Sequence, residues 1–148
     1  MLLVDSEAPI APEDESPQDR TDKWLPWNHL KKRDLWDRPG KSPDADCHLM
    51  VQCMESWFLA DPQTLKAFFG QGFREKPLLI ANNSVEKVGK AQVYDALAKA
   101  TGDCKTKAEY GKGEHSFKLL AKVDPAKVTA SSPWAKRFVD GLKKRMGC

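Results

Sequence analysis

The chain has 148 residues, a net charge of +3 and four cysteines, which bounds it to one domain with room for a core that needs no disulfide staples. No segment has the apolar length to cross a bilayer, Met1–Val4 is too short for a signal peptide, and Cys47, Cys53, Cys104 and Cys148 form no CxxC pair, so a single domain over residues 1–148 in a reducing cytoplasm is expected. The charge is uneven: residues 1–61 hold 7 Lys/Arg against 13 Asp/Glu, a balance of −6, and residues 62–148 hold 17 against 8, a balance of +9, so an acidic part suited to metal precedes a basic part suited to phosphate, or simply a solvated helical surface.

Leu2, Leu3 and Val4 lead into Asp5, Ser6 and Glu7. In an extended chain the period of two puts Asp5 and Glu7 on one face, a seat for a hard cation such as Mg²⁺; a strand running into a polar loop is the plainer alternative. Residues 8–46 read mostly as loop. Ala8–Asp22 is polar and proline-bearing, a solvent-exposed and mobile connection. Trp24, Leu25, Pro26, Trp27 and Leu30 give a short apolar turn or helix ahead of Lys31, Lys32 and Arg33. Trp27 and Trp36 either pack as core or stack on bases.

The stretch His48–Asp61, HLMVQCMESWFLAD, is the centre of the chain. Its β-leaning start predicts a buried strand over His48–Gln52, and Met54–Ala60 predicts a short helix. Asp61-Pro62 ends that helix and opens another, with Asp61 as N-cap. Glu55 therefore sits at a strand-to-helix junction, where α/β proteins tend to build sites. Beyond it, Pro62–Phe69 predicts a helix burying Leu65 and Phe68 and stopped by Gly70, and Lys90–Thr101 an amphipathic helix with Val93, Leu97 and Ala100 inside. A helix over Glu114–Ala121 is expected to turn Phe117 and Leu120 inward. Ser132-Pro133 opens a last helix repeating Trp134, Phe138 and Leu142, whose terminal Lys143, Lys144 and Arg145 suit the helix dipole.

Three site readings follow from the residue types. Cys47, His48 and Cys53 invite zinc, but the spacing fits no closed site and adjacent strand residues point to opposite faces, which favours structural roles. His115 has the chemistry of a general base, without a readable nucleophile beside it. The carboxylates Asp5, Glu7 and Glu55, with Lys90, Tyr110, Lys112 and His115 in the basic part, make up the kit of phosphoryl transfer, carboxylates for Mg²⁺ and cations for phosphate.

The strings LLVDSE (2–7), HLMVQCMESWFLADP (48–62), VEKVGKAQVYDALAKAT (85–101), YGKGEHSFKLL (110–120) and SSPWAKRF (131–138) together resemble the bacterial domain of unknown function family 4276, which looks related to the Toprim fold. That resemblance implies an α/β, Toprim-like partial domain with a small central sheet flanked by about five helices. It also implies metal-dependent phosphodiester chemistry of the kind found in topoisomerases, primases and phage-defence nucleases. Asp5 and Glu7 match the acidic pair that binds Mg²⁺, and Glu55 with Trp57 matches a Glu-x-Trp feature. Catalytic roles are then expected of Glu55, Lys112 and His115, and phosphate contacts of Lys90, Lys112 and Tyr110.

Longer relatives begin with a further strand carrying a Glu-Gly-Gly motif, whereas this chain begins at LLVDSE. The expectation is a metal site short of one Glu and a sheet edge left for a protein partner or a second copy. A non-catalytic module that binds a protein or nucleic acid through the basic C-terminal face is the alternative reading; no membrane partner is expected.

Overall fold

The structure is a computed structural model describing residues 1–148. It is mixed α/β and mostly helical. A two-stranded parallel sheet pairs β1 (Leu2–Asp5) with β2 (Cys47–Met50), in the register Leu2 to Cys47 and Asp5 to Met50. Both strands therefore finish at the same edge, and the pairing continues past them through Ser6 N–H to Met50 O and Glu7 N–H to Gln52 O. Helix α1 (Pro26–Asp34) lies in the connection between them. Then follow a 3-10 segment over Met54–Ala60, α2 (Pro62–Phe69), a 3-10 turn over Lys76–Ala81, α3 (Lys90–Thr101), α4 (Lys112–Leu120), α5 (Pro125–Ser131) and α6 (Pro133–Met146). Six α-helices thus stand where about five were expected, and no helix is long and apolar enough to cross a membrane.

The strands are apolar on successive residues because each face of the sheet meets its own core. Leu2 and Val4 pack with Trp24, Trp27, Leu30, Cys47, Leu49 and Trp134, while Leu3 and Met50 pack against the larger core around Phe58, Leu65, Phe69, Leu97 and Leu119. Trp24 and Trp134 meet with ring centroids 4.7 Å apart. This contact ties the N-terminal segment to α6 across most of the sequence. Buried Arg137 of α6 completes the tie, donating to the carbonyls of Thr21, Asp44 and Cys47 at 2.7–2.8 Å.

The helix starts follow the sequence signals. Asp61 accepts from Thr64 N–H at 3.3 Å and Ser132 from Ala135 N–H at 3.0 Å, each just before a proline at the first helical position. Asp61 also takes Lys127 Nζ at 2.6 Å and the Asp124 N–H at 3.0 Å, so one cap joins α2 to α5.

Three expectations are corrected. Met54–Ala60 is a 3-10 segment, buried on every side from Met54 to Leu59, so packing rather than helix propensity sets its winding. Ala8–Asp22 is not a free loop: Ile10 and Asp14 are buried, and Asp14 O accepts from Leu25 N–H at 2.7 Å. Phe117 does not point inward but is 76% exposed, because α4, which also begins two residues earlier than predicted, packs on the core through His115, Ser116 and Leu119.

Candidate functional site at the strand ends

The common carboxyl edge of β1 and β2 opens into a cleft of about 450 Å³. Asp5, the last residue of β1, and Glu7 both line it. Between them the chain leaves the extended conformation, Glu7 taking a left-handed backbone conformation at φ 61°. That conformation is sparsely populated for a residue with a Cβ and is held only where the surroundings impose it. The Glu7 carboxylate forms an ion pair with Lys90, the first residue of α3. The Asp5 carboxylate instead accepts from the Met54 N–H at 2.8 Å through Oδ1. Burial pushes the Asp5 carboxyl above the usual range and the negative charge of Glu55 adds to it, against the opposing Met54 amide.

Glu55 is fully buried on the 3-10 segment that follows β2. Its Oε1 accepts from the Tyr110 hydroxyl at 3.1 Å, with Ser116 Oγ at 3.4 Å and Lys112 Nζ at 4.0 Å. Its Oε2 has no hydrogen-bond partner. A buried carboxylate oxygen left bare is costly, and such a group in a native fold calls for a counter-charge. The phenols of Tyr94 and Tyr110 are pushed well above their ordinary value, first by burial and further by the charge of Glu55, so both stay protonated beside it. Lys112 also lies over the Tyr94 ring, 5.9 Å from its centroid.

Of the residues singled out from sequence, the fold thus brings Asp5, Glu7, Glu55, Lys90, Tyr110 and Lys112 to one edge. His115 is not among them. It is buried between Phe68 and Phe69, with ring centroids 5.9 and 5.2 Å away, and its Nδ1 accepts from the Gly111 N–H at 3.0 Å. That bond sets the turn into α4, a positioning role. The Cys47, His48 and Cys53 group does not assemble: the two cysteines belong to different cores, and His48 Nδ1 faces Arg137 at 3.1 Å. Burial lifts the Cys47 thiol to about 12, leaving it unreactive at neutral pH.

Two members of the site escaped the sequence reading. Tyr94 sits within an amphipathic helix whose apolar repeat conceals it. Ser116 has a legible signal, a hydroxyl four residues after Lys112 that bonds back to the Lys112 carbonyl. No three His, Cys, Asp or Glu side chains converge in the arrangement of a fully protein-ligated metal centre.

The sequence matches the family described as a domain of unknown function, DUF4276, over residues 1–143. The chain belongs to that family. Since the match covers every element from β1 to most of α6, this DUF4276 chain carries Asp5, Glu55 and Lys112 as parts of one family unit. No curated protein and no solved structure matches it.

Proposed function

We propose that the cleft is the site of a Toprim-related, Mg²⁺-dependent phosphoryl-transfer reaction of the nuclease class, serving bacterial genome defence. The observation that carries this reading is the fully buried Glu55, whose Oε2 lacks a hydrogen-bond partner and whose charge acts on Asp5 at the carboxyl edge of two parallel strands. Open α/β sheets bind ligands at that edge.

Two carboxylates suit Mg²⁺, which is held by one or two acidic side chains and keeps waters and substrate oxygens for the rest of its shell. Asp5 and Glu55 would hold it, with Glu7 tied to Lys90 rather than aimed at the ion. Bound there, Mg²⁺ would supply Lewis-acid polarisation of a phosphoryl oxygen. The remaining work falls to the chain itself. Tyr110 fixes the Glu55 carboxylate, Lys112 places positive charge where a phosphate approaches, and the Met54 amide orients Asp5. The Lys90–Glu7 pair braces the strand end against α3.

Isothermal titration of Mn²⁺ or Mg²⁺ into the chain and its Asp5→Asn variant tests this, beside cleavage assays on DNA and RNA. Saturable binding and ion-dependent cleavage, both lost in the variant while its thermal transition is kept, are expected. An ion that binds neither protein sinks the reading.

A further inference from the structure

We propose that the cleft takes unpaired nucleic acid, with a base stacked against Trp36 and Phe117. This inference takes from the reading above the cleft as the site of reaction and adds the substrate class.

The two walls of the cleft repeat one chemical pattern. The first is the end of α1 and the turn after it, with Arg33 followed by Trp36; the second is α4, with Lys112 followed by Phe117. Each segment thus contributes a cation and an aromatic ring to the lining, which also holds Asp5, Glu7 and Asp34. Both rings are open to solvent, Trp36 at 48% and Phe117 at 76%. The other four tryptophans are less than a tenth exposed. Phe117 follows the buried Ser116 and precedes the exposed Lys118 on α4, and it lines the cleft. The cations are only partly engaged: Lys112 is 4.0 Å from Glu55 and more than half exposed, while Arg33 pairs with Asp34 at 2.8 Å and reaches the Ser6 carbonyl at 3.4 Å.

Aromatic faces beside cations are how proteins hold single strands. The ring takes a base by its π-face and the cation takes the adjacent phosphate. A duplex keeps its base faces inside the stack, so exposed rings favour the unpaired strand. The cleft volume of about 450 Å³ is in the range of sites for small molecules, enough for one nucleotide rather than a duplex groove. Acidic side chains in the same cleft argue against a purely electrostatic polyanion site, and fit instead one nucleotide held at a reacting position.

Trp36 is itself the probe, because it is the one tryptophan a ligand can reach. A short mixed-sequence single strand, as DNA and as RNA, is titrated into the chain in EDTA while tryptophan emission is followed; the same strands annealed to their complements are the controls, and labelled-strand anisotropy gives affinities. Quenching by at least one single strand is expected, with the duplex several-fold weaker. Phe117→Ala should lower affinity by roughly tenfold, the worth of one stacked base, with Phe117→Tyr restoring it. Trp36→Phe should abolish the quench while keeping most of the affinity. Single strand and duplex binding alike, or affinity indifferent to Phe117→Ala, overturns the inference, as does an absence of quenching by either strand. Because EDTA removes the ion, the two readings fail separately. Single-strand binding without ion-dependent cleavage sinks the chemistry alone, and cleavage indifferent to Phe117 and to strandedness sinks the substrate assignment alone.

Discussion

Tyr110 donates from its hydroxyl to Glu55 Oε1 across 3.1 Å, joining residues 55 positions apart in the chain. The bond places a phenol from the turn before α4 onto a carboxylate from the segment after β2, so the loop 102–111 is anchored to the strand end. Phe58 packs on the same ring, 6.3 Å between centroids. Tyr110→Phe removes the donor and leaves Glu55 with less compensation inside the protein. A loss of about 1–3 kcal/mol in urea unfolding is expected, with the fold retained.

Asp5 gives a pH signature. Its carboxyl is raised in the folded chain, chiefly by burial, so between the ordinary value of 3.8 and the raised one the folded state binds the extra proton. Stability from this group therefore declines as pH rises through that window and is level above it. Asp5→Asn, which keeps an oxygen for the Met54 N–H, should flatten the decline and be neutral or mildly stabilising at pH 7. Parallel Mn²⁺ titrations should show affinity rising across the same window in the native chain, as the carboxyl gives up its proton.

His48 acts in the opposite direction. Burial, together with the Arg137 charge, lowers it from 6.5 to about 4, so it stays neutral in the folded chain while its unfolded counterpart takes a proton. Stability is full above about pH 6.5 and is lost as the pH falls toward 4, by up to about 3 kcal/mol. Nδ1 faces the Arg137 guanidinium at 3.1 Å, which can only donate, so an added proton on that nitrogen would displace the bond and meet a cation. Thermal transitions of the native chain and His48→Gln between pH 7 and 4 should converge on acidification, the variant having the shallower slope.

Arg137 carries a prediction about folding. Its guanidinium serves three backbone carbonyls, one at the start of β2, one in the segment before it and one before α1. Arg137→Met leaves those carbonyls without donors, and Arg137→Lys offers an ammonium that cannot match the planar fork. Both variants should lose about 2–4 kcal/mol in chemical denaturation, the lysine variant less than the methionine one.

Much of the local structure was written in short signals. The Asp61-Pro62 and Ser132-Pro133 pairs marked α2 and α6 to the residue, because a capping oxygen and a fixed proline φ act within one turn of chain. The repeat of Val93, Leu97 and Ala100 placed α3 for the same reason. Signals failed where a neighbour distant in sequence decided the outcome. Phe117 looked like a core residue by its type, and only the packing of α4 through His115 and Leu119 turned it outward. Glu7 looked like the extended-chain neighbour of Asp5 by alternation, and the fold keeps both in one cleft while giving Glu7 a left-handed backbone and pairing it with Lys90.

The candidate site divides in the same way. Residue type singled out Asp5, Glu7, Glu55, Lys90, Tyr110, Lys112 and His115 as candidates for phosphoryl-transfer chemistry, carboxylates for a cation and basic groups for phosphate. The sequence by itself determined that a strand ends at Asp5, that another precedes Glu55, and that the chain joins an acidic part to a basic one. Only the tertiary structure decided that the strands are parallel and in a register that brings Asp5 level with Met50. It also decided that Glu55 is buried with one oxygen bare, that His115 is buried with its Nδ1 on the Gly111 amide, and that Trp36 and Phe117 share a cleft. Those outcomes depend on contacts between residues tens of positions apart, whose pairing is set by the packing of the whole core and not by any local preference of the chain.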